Sequence, residues 1–212
     1  MRAIIAISHG GDAFARRALR AAYYVFLTAG IVALGYAGYM VMDRYRYESI
    51  ETPKFEAVTA SPASGAVELV PIAEGGVIGE IEMPRLGLKA IVVQGDSEKL
   101  LRRSVGHIPE TALPGEAGNI ALAGHRDGLF RPLRNAQPGD TINLKTRDRE
   151  FHYEVEWTAV VPPTAVRVIQ PTSEPSLTLV TCFPFYYVGA APKRFIVRAR
   201  KISVSLWAPG AP

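Results

Sequence analysis

The chain has 212 residues, 48% of them hydrophobic and 21% charged, which is enough for one folded domain with an anchor or linker attached. Its formal charge of +4 comes from lysines and arginines scattered along the chain rather than gathered into one stripe with aromatics between them, so no nucleic-acid partner is expected. The single cysteine excludes an internal disulfide, and no CxxC or HExxH spacing is present to hold zinc.

Residues 1–20 end in Arg16, Arg17 and Arg20, and are expected to stay in the cytoplasm. Residues 21–42 then carry no charged side chain until Asp43, Arg44 and Arg46. At about 1.5 Å per helical residue this run extends about 33 Å, against a hydrocarbon core of roughly 30 Å. A soluble core helix would show a polar face, whereas this run offers only tyrosines and one threonine. A cleaved signal peptide would have a shorter apolar region ending on small residues, not on Tyr39-Met40-Val41-Met42. The reading is a retained single-pass signal anchor in the cell membrane. The arginine count across it places the N-terminus inside and the rest of the chain outside. Ala29, Ala33 and Ala37 recur at small-xxx-small spacing, which suits helix packing but does not fix an oligomeric state.

From 43 to 76 periodicity gives way to Pro, Ala, Ser, Glu and Gly, as expected of a flexible linker. A folded domain is expected over 77–203. Strand-like runs fall at 77–83, 88–94, 119–123, 141–146, 151–161, 177–181 and 195–203, punctuated by turns such as Pro84-Arg85-Leu86-Gly87 and Pro138-Gly139-Asp140. Within 151–161, Phe151, Tyr153, Val155 and Trp157 alternate with His152, Glu154, Glu156 and Thr158, the period of a half-buried strand. Only short helices fit, at 98–103 behind a cap at Asp96 and near 128–135. Many short strands with turns between them imply an all-β barrel or sandwich.

The chemistry gathers at strand ends. One strand ends on Cys182, a Pro/Gly loop follows, and the next strand starts at Arg194; upstream, the apolar run from Asn119 ends on Gly124-His125. A lone cysteine is commonly a small buried hydrophobe. A strand-end Cys, a strand-end His and a strand-start Arg are nevertheless the parts of thiol-based acyl transfer. A thiol with a pKa of about 8.5 is only a few per cent ionised at pH 7, so it needs a nearby base or cation. His125 is the candidate base, provided its strand neighbours that of Cys182. Arg194 keeps its charge at any working pH and offers several donors for a substrate carbonyl and its oxyanion. Lys193, Arg198 and Arg200 compete with it by position; alternation puts Arg194, Ile196, Arg198 and Arg200 on one side of the strand, so facing alone does not separate Arg198 from Arg194. His9 precedes the span, His152 sits in an amphipathic strand, and His107 reads more readily as structural than as cleft-lining. Asp127 either orients the imidazole of His125 or caps the helix that follows.

These residues resemble a known family. Thr178-Leu-Val-Thr-Cys182 is similar to the TLxTC signature of sortases, Ala123-Gly-His125 to their strand-end histidine, and Lys193-Arg194-Phe-Ile-Val to the strand bearing their essential arginine. Ile78-Gly-Glu-Ile, Gly106-His-Ile-Pro, Ala112-Leu-Pro-Gly and the loop after Cys182 are most similar to class D sortases. The resemblance implies an eight-stranded sortase-type β-barrel and a membrane-anchored cysteine transpeptidase. In that reading Cys182, His125 and Arg194 are catalytic and Thr181 contributes to the substrate pocket. The implied partners are surface proteins or pilins with an LPXTG-like sorting signal, and an amine acceptor such as a cell-wall precursor or a pilin lysine. No carboxylate cluster matches the calcium site of some class A members, so no metal or cofactor is expected. The tail, 204–212, lies outside the resemblance. Among other thiol acyl-transferases, the SHGC-type context of an L,D-transpeptidase is missing, and a papain-like peptidase has its Cys before its His. The alternative from another class is a membrane-tethered β-barrel binding module without activity.

Overall fold

A computed structural model describes residues 10–60, 72–187 and 189–206. His9, the middle of the expected linker at 61–71 and the tail from 207 onward lie outside the described residues. The chain divides into an N-terminal unit and a larger C-terminal one.

Helix α1 (Gly10–Ala60) contains a window, Phe14–Tyr39, with a mean hydropathy of 1.5, long and apolar enough to cross a membrane by length and composition. None of that window is buried, which distinguishes it from the core helix of a soluble protein. The helix runs past Met42 into the stretch read as linker. There Arg44, Arg46, Glu48, Glu51, Lys54 and Glu56 are good helix formers, and Pro53 is the one strong opponent.

The second unit is a closed barrel, as the resemblance implied. Its strands are β1 (Val77–Met83), β2 (Leu88–Gln94), β3 (Val105–His107), β4 (Asn119–Gly124), β5 (Thr141–Lys145), β6 (Arg149–Val161), β7 (Ser176–Phe183) and β8 (Lys193–Leu206). They follow the order β1-β2-β3-β4-β7-β8-β6-β5, and β5 pairs back onto β1. Pro84–Leu86 forms a 3-10 turn that closes on Gly87, whose φ of 61° is the left-handed conformation glycine adopts without strain. Helix α2 (Glu98–Leu101) is a single turn, and 3-10 segments occupy Arg131–Asn135 and Val166–Ile169.

The pleat decides what faces where. Ile120 and Leu122 of β4, Leu177 and Leu179 of β7, and Val197 and Ala199 of β8 belong to the barrel core. Their alternates, Ala121 and Ala123, Thr178 and Val180, Ile196 and Arg198, therefore point outward. Ile196 is nonetheless fully buried. It lines a groove with Val166 and Val168 of the β6–β7 connection, which covers this outer face.

The alternation expected for 151–161 holds only in part. Phe151, Tyr153 and Val155 are buried in the core, but Trp157 is 39% exposed. The register against β8 shifts between Val155 and Trp157, and the extra residue of this bulge turns the rest of β6 over. Trp157 consequently lies opposite Arg198 on the outer face, with the guanidinium 5.7 Å from its ring centre.

Candidate active site

Strand register brings the expected residues to one place. β4 and β7 are parallel neighbours, with Ala123 opposite Val180 and Gly124 opposite Thr181. His125 is the first residue past β4, so it lies level with Cys182 in the sequence of both strands. On the other side β7 pairs antiparallel with β8, and Cys182 stands directly opposite Arg194. Directly opposed residues hold their Cβ atoms about 4.5–5.5 Å apart, within mutual reach of a thiol and a guanidinium on one substrate. Cys182 shares the outward parity of Thr178 and Val180 and is partly accessible.

The local sequence fixes this geometry. A Cβ added at Gly124 would meet the ring of Phe130 at 2.7 Å, so the residue before His125 has to be glycine for Phe130 to pack there. The His125 carbonyl accepts the backbone N–H groups of Gly128 at 3.2 Å and Phe130 at 3.3 Å, closing a tight turn just after the histidine. Thr181, expected in the substrate pocket, is only 2% exposed, and its hydroxyl donates to the Gly124 carbonyl at 2.7 Å. Its contact is therefore with the end of β4: it ties together the strand ends that carry Cys182 and His125.

The competing cations separate by environment. Arg194 donates from Nη1 to the carbonyls of Ala191 at 3.3 Å and Lys193 at 3.1 Å, and lines the outer groove. Arg200 is exposed and paired with Glu154 at 2.7 Å. Lys193 is exposed opposite Phe183. Arg198 is buried beneath the β6–β7 connection, where desolvation lowers its pKa and Glu156 opposes that shift. Of these four cations, Arg194 is the one that stands in register opposite Cys182.

Two arginines that the sequence did not single out hold the loop after Cys182. Arg126 donates to the carbonyls of Tyr187 at 2.7 Å and Gly189 at 3.0 Å, and sits over the Tyr187 ring. Arg134 bonds the Tyr186 hydroxyl and lies over that ring. The only signal available was the place of Arg126 directly after His125. Phe183, Phe185 and Phe195 pack edge-on or stacked around the base of the same loop.

His107 is 1% exposed, with Nδ1 at 2.9 Å from Gln94 Oε1 and Nε2 at 2.9 Å from the Ala112 carbonyl, so it is a structural histidine. His152 pairs with Asn143 on the flank of β6. Asp127 is exposed and makes no hydrogen bond to His125. The Glu98 carboxyl is held below its ordinary range by Arg102, with a smaller contribution from His125. Among the described residues no group of three His, Cys, Asp or Glu side chains could hold a metal ion.

The groove beside the site measures about 110 Å³ and is apolar except at Arg194, its walls including Ile108, Val161, Val166, Val168 and Val180. Val180, in the wall of this groove, comes two positions before Cys182 on the same face of β7.

The sequence and the barrel fold match those of known proteins. A family model described as the sortase domain matches residues 81–202. The chain is similar to Sortase D of Bacillus subtilis, with 32% identity over 84% of this chain and 96% of the relative. Among solved structures, it resembles a Sortase D5 transpeptidase of Clostridium perfringens, with a TM-score of 0.57 and 31% identity over 62% of this chain and 82% of that one. It also resembles Sortase E1 of Streptomyces coelicolor, solved with a tripeptide in its active site, at a TM-score of 0.58 and 29% identity over 65% of this chain and 95% of that one.

Proposed function

The chain belongs to the sortase family, and on that premise we propose that it is a membrane-anchored cysteine transpeptidase acting on an LPXTG-like sorting signal outside the cell. The observation that carries this reading is the register, which sets Cys182 opposite Arg194 and level with His125 on the outer edge of one sheet.

In the proposed reaction the Cys182 thiolate attacks the scissile backbone carbonyl. Arg194 donates hydrogen bonds to the oxyanion as it forms, the step at which an aimed cation is most effective. The C–N bond breaks as His125 protonates the leaving amine, and a thioacyl enzyme remains. An incoming amine then gives its proton to His125 and attacks the thioester carbonyl, the C–S bond breaks, and Cys182 leaves as thiolate. Thr181 and Arg126 act through position, the first joining the strand ends and the second holding the loop beyond Cys182. The apolar groove suits the Leu-Pro part of the signal. A wall precursor or pilin lysine is the proposed acceptor.

The test uses the full chain in detergent with a library of LPXTG-type peptides and hydroxylamine as acceptor. Cleavage with hydroxamate formation is expected, along with complete loss of turnover in Cys182→Ala at unchanged circular dichroism. Cleavage surviving in Cys182→Ala would remove the thiol from the mechanism. If no peptide in the library is cleaved, the binding-module alternative takes over.

A further inference from the structure

The groove wall formed by Val166–Ile169 owes its position to a buried polar cluster on the outer face of the barrel. Asn119, at the start of β4, is 1% exposed and uses its whole amide. Its Nδ2 donates to the carbonyls of Val168 at 3.2 Å and Gln170 at 3.3 Å, while its Oδ1 accepts from Ser176 at 3.2 Å and Thr178 at 2.7 Å. Arg198 of β8 reaches the same point from the other side. Its Nη2 donates to the Val168 carbonyl at 2.8 Å and its Nη1 to Ser176 Oγ at 2.8 Å.

Arg198 is 8% exposed, and among the described residues no carboxylate forms an ion pair with it. Glu156 acts on it electrostatically without pairing with it, and a buried guanidinium with no paired carboxylate is costly unless its donors are met and its face is covered. Here the Val168 carbonyl and Ser176 meet two branches, and the Trp157 ring covers the face. The bulge in β6 is what turns Trp157 outward to do so. Nε has no partner, so little is left to hold the cation if the Val168 carbonyl moves away.

The carbonyl of Val168 is thus gripped from beneath while its side chain lines the groove with Val166 and Ile169. Arg198 does not itself line the groove, and Cys182 and Arg194 lie farther along the sheet from Thr178, its partner in register. Its effect on a bound peptide must pass through the wall.

We infer that Arg198, together with Asn119, is a positioning residue: it clamps the Val166–Ile169 wall over the outer sheet and thereby sets the affinity for the apolar part of the peptide, without taking part in the chemistry at Cys182. The affinity half of this inference rests on the transpeptidase reading above; the clamping half does not.

Two readouts on the full chain in detergent separate those halves. Arg198→Met keeps the bulk of the side chain and removes both hydrogen bonds, Arg198→Lys keeps the charge without the fork, and Arg200→Ala is the control on the same strand. Hydrogen exchange should show the amides of 166–170 exchanging about tenfold faster or more in Arg198→Met, the scale of losing bonds to a charged donor, and unchanged in Arg200→Ala. Peptide cleavage should show KM raised about tenfold in Arg198→Met with kcat within about twofold, and incomplete recovery in Arg198→Lys. Unchanged exchange at 166–170 overturns the clamp. Faster exchange with an unchanged KM, or a fall confined to kcat, overturns its role in affinity. A wild-type chain that cleaves none of the peptides removes the transpeptidase reading and the affinity half with it, while the exchange result still decides the clamp.

Discussion

Arg194 engages the carbonyls of Ala191 and Lys193 through Nη1 alone, which leaves Nε and Nη2 for an oxygen on a peptide held over Cys182. Removing one donor from an oxyanion site typically costs about 10²–10³-fold in kcat. Arg194→Ala should therefore lower single-turnover acylation by that order, with secondary structure retained by circular dichroism. Arg194→Lys should recover only part of it, because an ammonium cannot reproduce the planar fork. Activity within tenfold of wild type in the alanine variant would remove Arg194 from the transition state. Cys182, His125 and Arg194 were legible as candidates because each marks an end of an apolar run. Alternation alone could not part Arg194 from Arg198, since both point outward from β8. Burial by the β6–β7 connection and the face-switching bulge next to Trp157 part them, and both depend on packing between segments distant in sequence.

At the scale of elements, β1 and β2 were visible because Pro84 to Gly87 punctuates them, whereas β3 has only three residues and no periodicity to read. β8 runs on to Leu206 because β6 extends back to Arg149 and pairs with it there, a long-range match with no local signal. The 3-10 wall at Val166–Ile169 stands on partners from β4, β7 and β8, and the Pro-rich sequence around it announces only a turn. β3 also carries His107, which gives this short element a pH signature. Burial pushes the His107 pKa below its ordinary 6.5, outweighing the opposing pull of the Ala112 carbonyl and of Glu116. The folded barrel thus holds the ring neutral where the unfolded chain would protonate it. Stability is complete above about pH 6.5 and declines as the pH falls from there toward the folded-state pKa. Thermal unfolding of the full chain in detergent at pH 7.5, 6.5 and 5.5 should show this decline in wild type. His107→Gln should start from a lower melting temperature and decline less steeply. Equal slopes in the two proteins would assign the pH dependence to other groups.

At the scale of the whole molecule, the proposed function requires the barrel to lie outside the membrane, and the chain carries its own reporter of that side. The apolar window Phe14–Tyr39 carries Arg16, Arg17 and Arg20 near its N-terminal end, while Arg44 and Arg46 follow it, so the positive-inside bias favours an external barrel by a small margin. The proposed reaction requires that side, since its sorting signal and its amine acceptor would both lie outside the cytoplasm. Cys182 is the only cysteine in the chain and is partly accessible, so thiol labelling reports its location without engineering. Protoplasts expressing the full chain, treated with a membrane-impermeant maleimide, should be labelled before lysis, and Cys182→Ser should remove the signal. The membrane fraction should release the protein to detergent and retain it under alkaline carbonate, as expected of a spanning helix rather than a peripheral attachment. Labelling that appears only after permeabilisation would place the barrel in the cytoplasm, where a sorting-signal transpeptidase would have no access to surface proteins. Release by carbonate would deny the helix its role as an anchor.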